Sequence, residues 1–89
     1  MLLKMLKTNL GILSTTAYDE RLTQLIESAK SMIAKEGVTN LSENNMFDAQ
    51  LIVDYAEWLW RRRDSKEGMP RMIRWHLNNR IFSDKMQEG

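Results

Sequence analysis

Cysteine is absent from the 89 residues. That removes disulfides, thiolate metal ligands and thiol nucleophiles together, and it fits a reducing cytosol or a particle assembled there. Histidine occurs once, at His76, so a multi-histidine metal site is excluded. Carboxylate-only sites lack any loop pattern such as a DxDxDG run, and the four glycines form no phosphate-cradling loop. No cofactor is expected. Long apolar runs are also missing: none approaches the ~20 residues that span a bilayer. The N-terminal "MLLKMLKTNLGIL" is broken by Lys4 and Lys7 and has no small-residue cleavage site. It reads as an amphipathic helix rather than a signal peptide, and no membrane partner is expected.

One-sided charge is lacking as well. The net charge is +1, which argues against a generally basic nucleic-acid binder. The distribution is less even than the total. Between Arg61 and Arg80 lie seven basic residues (Arg61, Arg62, Arg63, Lys66, Arg71, Arg74, Arg80) and two acids (Asp64, Glu67), a local excess of +5. The overlapping stretch from Asp54 to Trp75 holds all three tryptophans, Trp58, Trp60 and Trp75. A chain of this length makes one domain, and alone it would bury only about 60–65% of the surface exposed on unfolding.

What is present is helical periodicity. Leu2, Leu3, Leu6 and Leu10 predict a helix over 2–10 closed by Gly11. Leu22, Leu25, Ile26, Ala29, Met32 and Ile33 form an apolar stripe over 17–36, with Thr16 and Asp19 as a capping-box variant and Gly37 as the stop. "GVTNLSENN" reads as a polar connection, exposed and mobile through residues 38–45. The segment 46–64, capped by Asn45, carries apolar residues on two faces: Ala49, Ile52, Val53, Ala56 and Trp60, and Leu51, Tyr55, Trp58 and Leu59. The second face is expected to need a neighbouring subunit. After "KEGMP", Met69, Met72, Ile73, His76, Leu77, Arg80 and Ile81 line one side of a closing helix, with Pro70 at its start. The tail 83–89 has no periodicity and is expected to fray. The main core is expected where Leu22, Leu25, Ile26, Ala29 and Ile33 meet Ile52, Val53, Ala56 and Trp60.

No catalytic constellation emerges. Asp54 and Glu57 share a helix face at a spacing of three, but nothing around them suggests a pocket that would split their pKa values, and solvated helix charges are the plainer reading. The arginines and tryptophans suit phosphate contact and base stacking. Equally, arginines in a last helical turn complement the helix dipole. A helix-turn-helix unit would have a tighter turn and a polar reading helix, whereas here the closing helix begins Pro-Arg-Met-Ile. Three tryptophans and seven methionines are more apolar surface than a small bundle hides, which favours self-association.

The order of these segments resembles the small phage head-tail connector proteins, also called head-completion or DNA-packaging adaptors. "YDERLTQLIESAKSMIAKEGV" (residues 18–38) resembles the family's D-x-x-L-x-x-L-I-x-x-A…I…G-V helix. "AQLIVDYAEWLWRRRD" (49–64) resembles its aromatic helix, and "GMPRMIRWHLNNRIF" (68–82) its short closing helix after a proline. The likeness runs from Thr16 to Phe82 and includes no catalytic signature.

The resemblance implies an all-α bundle of about four helices with two long central ones, in a single domain over 1–82, assembling into a ring, twelve-fold in the virion, beneath the portal. The ring would extend the DNA channel and dock a tail-completion or second connector protein. It would lie close to genomic DNA without reading it. The protein would reside at the head-tail interface after assembly in the host cytoplasm. On this reading Tyr55, Trp58, Leu59, Arg61, Arg62 and Arg63 are candidates for the subunit interface. Phe82, Ser83, Asp84, Lys85 and Met86 are candidates for portal docking. Thr39, Asn40, Ser42, Glu43 and Asn44 are candidates for a loop facing the channel or a neighbouring ring. The alternative is a small helical DNA-binding protein, a phage regulator or packaging accessory factor.

Overall fold

The computed structural model describes the backbone of residues 1–62 and 68–88. Four helices follow in order: α1 (Leu2–Leu10), α2 (Asp19–Lys35), α3 (Met46–Arg62) and α4 (Arg71–Glu88). Among the described residues there is no strand.

Each helix end has a local cause. Gly11 takes the left-handed conformation at φ 73°, which a side chain would disfavour, and so ends α1. The Gly11 and Ile12 N–H groups then donate to the Thr8 and Lys7 carbonyls. The expected capping box at Thr16 does not form: α2 begins at Asp19 without a side-chain cap. The Asp19 carboxylate is taken instead by Lys7 at 2.8 Å, an ion pair joining α1 to the start of α2. Asn45 does cap α3, its Oδ1 accepting from the Phe47 N–H at 2.8 Å.

α3 is the central element and packs against each of the other three helices. That accounts for its apolar residues on two faces. Leu22, Leu25, Ile26, Ala29 and Ile33 of α2 cover one side, Leu2 and Leu6 of α1 and Ile73 and Leu77 of α4 join the same core, and Leu51, Ile52, Val53, Tyr55, Ala56 and Leu59 are all buried. The expected α2–α3 core is therefore present, except that Trp60 is only partly buried; Met32, read on the apolar stripe of α2, is exposed. The second face of α3 is satisfied within one chain, so a neighbouring subunit is not required to cover it. Trp58 and Trp60 sit at the core edge. Tyr18 meets Trp60 edge to face with centroids 5.4 Å apart, and Tyr55 meets Trp58 in the same way.

α4 departs furthest from expectation. It continues to Glu88 rather than ending near Phe82, so residues 83–88 are helical and not a frayed tail. Its core side is Ile73, Leu77 and the partly buried Ile81. Met72, expected on that side, points outward.

Candidate functional site

The connection between α2 and α3 is held by a charge network rather than left loose. Asp48, in the first turn of α3, is 1% exposed. Arg80 of α4 reaches it with Nε at 2.7 Å from Oδ1 and Nη2 at 3.3 Å from Oδ2. The same guanidinium donates through Nη1 to Asp84, one turn later on α4. Its Nη2 also donates to the carbonyls of Thr39 and Asn40 at 3.0 and 3.2 Å. The loop reciprocates, with the Thr39 N–H donating to Asp84 Oδ2 at 2.7 Å and the Ser42 N–H to Asp48 Oδ2 at 3.0 Å. One planar fork thus serves two carboxylates and two carbonyls, a geometry that lysine cannot reproduce. Val38 is buried beneath the strap, and Asn40 takes a left-handed φ of 56° to bring its carbonyl round. At the far end Lys30 bridges Glu27 and Glu43, and these partners raise its pKa, the Glu43 hydrogen bond most of all.

This corrects the expected mobility of residues 38–45. Thr39, Asn40 and Ser42 are tied by their backbone to α3 and α4, Glu43 pairs with Lys30, and the Asn44 N–H donates to the Ser42 hydroxyl at 3.3 Å. Thr39, Asn40, Glu43 and Asn44 are nonetheless exposed, and Ser42 is half-buried. Asp84, a candidate for portal docking, is buried in the same network. The Thr39 N–H, and then Arg80, hold its carboxyl below the ordinary value.

A carboxyl whose pKa is lower folded than unfolded contributes stability above its unfolded value of about 4 and loses it as pH falls through the folded value. Asp54 works in the opposite sense. Burial raises its pKa despite the Gln50 hydrogen bond at 2.8 Å, so its ionisation costs the native state above about pH 4. Denaturant melts between pH 7 and pH 2.5 should therefore show a steeper acid limb for the wild type than for Asp84→Asn. Parallel limbs would remove Asp84 from the account.

Four arginines of the basic stretch are each engaged locally among the described residues. Arg61 donates to Glu57 at 3.2 Å, Arg62 lies over the Trp58 ring at 5.1 Å, Arg74 pairs with Glu36 at 3.1 Å, and Arg80 is consumed by the network. Arg63 lies outside the described residues. Of the expected interface residues, Tyr55 and Leu59 are buried within the chain, while Trp58 is half-buried and Arg61 and Arg62 are exposed. Phe82, Ser83, Lys85 and Met86 are exposed.

The feature that sequence reasoning missed lies on the outer face of α4. Met72, Trp75, Phe82 and Met86 are 74%, 63%, 63% and 66% exposed. Beside them, between α4 and the strapped loop, is an open cleft of about 620 Å³. Trp75, Asn79 and Ser83 line one wall and Asn40 and Ser42 the other, with Asp48, Arg80 and Asp84 along the same groove. Phe47 stands at its side, edge to face with His76 at 5.4 Å. The signal was in the sequence, since α4 carries two apolar sets, and only the inner set was separated out.

Among the described residues no helix is long and apolar enough to cross a membrane. No protein-family model, curated protein or solved structure matches the chain.

Proposed function

We propose that this chain is a non-enzymatic assembly subunit of the head-tail connector type, which docks through the outward face of α4. The observation that supports this reading is the exposure of Met72, Trp75, Phe82 and Met86 on one helix whose opposite side is anchored in the core. A row of large apolar side chains left open on a rigid element marks a protein-binding surface. The order of the segments resembling connector proteins gives that surface its context: a ring under a portal, with tail or second connector proteins below it.

The DNA-binding alternative is less well served. Among the described residues, Arg61, Arg62, Arg74 and Arg80 are engaged by Glu57, Trp58, Glu36 and the Asp48–Asp84 pair. The outward residues of α4 are mostly apolar and amide rather than cationic, whereas duplex binding draws chiefly on phosphate contacts from Lys and Arg.

Deletion of the gene from the phage that encodes the chain tests the reading. Heads that lack tails and lose their DNA are expected, with complementation by the wild type. Complementation should fail with the paired Trp75→Glu and Phe82→Glu variant. Normal tail-bearing, DNA-filled particles after deletion would overturn the connector assignment.

A further inference from the structure

We infer that the outward face of α4 is a self-complementary seam, and that in the free protein it is covered by α4 of a second copy, parallel and in register about a two-fold axis. The inference rests on the docking role given to this face above, and it names the face's first partner.

The spacing carries the argument. Met72, Trp75, Asn79, Phe82 and Met86 are separated by three, four, three and four residues. This is the a/d alternation of a helix that meets another helix by knobs-into-holes packing, with Asn79 at the central a position. The anchored positions Ile73, Leu77, Arg80 and Asp84 lie on the other side of the same helix, so the seam faces away from the core.

The flanks fit a copy of the same chain. The positions beside the seam are Arg71, His76, Asn78, Ser83 and Lys85, so its middle carries no formal charge. In a parallel pair Asn78 lies near Ser83 of the other copy, and no like charges are forced together along the central heptad. Asn79 is the telling residue. An amide inside an apolar seam is costly against hydrocarbon, yet against its own copy it finds a matching donor and acceptor, and it fixes register and a two-helix state.

Size supports the same occupant. The four exposed apolar side chains present on the order of 500 Å², at the upper end of the patches that monomers leave open. With Asn79 and the flanking side chains added, such a patch supplies the greater part of the roughly 800 Å² per partner of a standard interface. Two heptads would not hold an isolated coiled coil, but α4 is already folded against its own body, so pairing orders no new backbone. Association in the micromolar range is expected, about 1–100 µM.

The absence of cysteine makes a direct experiment available. In the full-length chain, Asn79→Cys should form a disulfide-linked dimer under mild oxidation, and so should Met86→Cys, whereas Ser28→Cys on the exposed side of α2 should not. Sedimentation of the wild type should show a concentration-dependent dimer. Trp75→Glu or Phe82→Glu should be monomeric at every concentration with unchanged far-ultraviolet circular dichroism. Asn79→Leu should tighten association by roughly ten-fold or more and admit larger species. A wild type that stays monomeric at millimolar concentration would overturn the inference. So would a ring insensitive to Trp75→Glu, which would leave the connector reading standing. Conversely, a dimer closed through residue 79 in a chain whose deletion leaves normal particles would remove the connector reading and keep the seam.

Discussion

Arg80→Ala is expected to cost the fold about 3–5 kcal/mol, because it breaks a buried pair and leaves the charge on Asp48 without its cation. That is a large share of the roughly 5–15 kcal/mol that holds a domain together. The loss reaches beyond one ion pair. Asp48 would keep the Ser42 N–H as a donor, but the carbonyls of Thr39 and Asn40 would lose the Nη2 that faces them. Arg80→Lys should restore little, since an ammonium cannot face two carboxylates and two carbonyls from one plane. Urea melts give the magnitude. Amide exchange at Thr39 and Ser42 locates it, because both N–H groups donate to the carboxylates that Arg80 organises. Arg61→Ala is the control: its partner Glu57 is one helical turn away at the surface, and such pairs contribute a few tenths of a kcal/mol. A loss below about 1 kcal/mol for Arg80→Ala, with unchanged exchange at Thr39, would show that the strap is held by burial of Val38 rather than by charge.

The difference between those two arginines also marks what the sequence could convey. Leu22, Leu25, Ile26, Ala29 and Ile33 repeat at the helical period, and so do Ile52, Val53 and Ala56, so the central pair of helices was legible from spacing alone. Gly11 and Asn45 were legible because their roles depend on residues one turn away. Asp48, Arg80 and Thr39 were not. Arg80 lies 32 residues from Asp48 and 41 from Thr39, and a charged residue in a sequence reads as solvated until a fold brings its partner near. The same cause misplaced the exposed face. From spacing alone, apolar residues on both sides of α3 point to a second subunit, but α1, α2 and α4 cover them. The uncovered set belongs to α4, where inner and outer apolar residues interleave and only the packing of Ile73 and Leu77 shows which set faces the core.

Leu51→Ala and Phe82→Ala should separate these two kinds of apolar residue. Leu51 is fully buried in the central helix, and its truncation is expected to cost about 2–5 kcal/mol through lost burial and the cavity left behind. α3 touches all three other helices, so the surroundings have little freedom to close over the gap. Phe82 has most of its surface in solvent, and in the isolated chain its truncation should shift stability by less than about 0.5 kcal/mol. The contrast sharpens with protein concentration. A fold stabilised by pairing melts higher as concentration rises, because only the native state associates. The wild-type midpoint should therefore climb between low- and high-micromolar protein, and the Leu51→Ala midpoint should climb in parallel from a lower start. The Phe82→Ala midpoint should stay flat. If Phe82→Ala instead lowered the midpoint equally at all concentrations, its ring would be acting within one chain, and the outer face of α4 would be part of the fold rather than a surface for a partner.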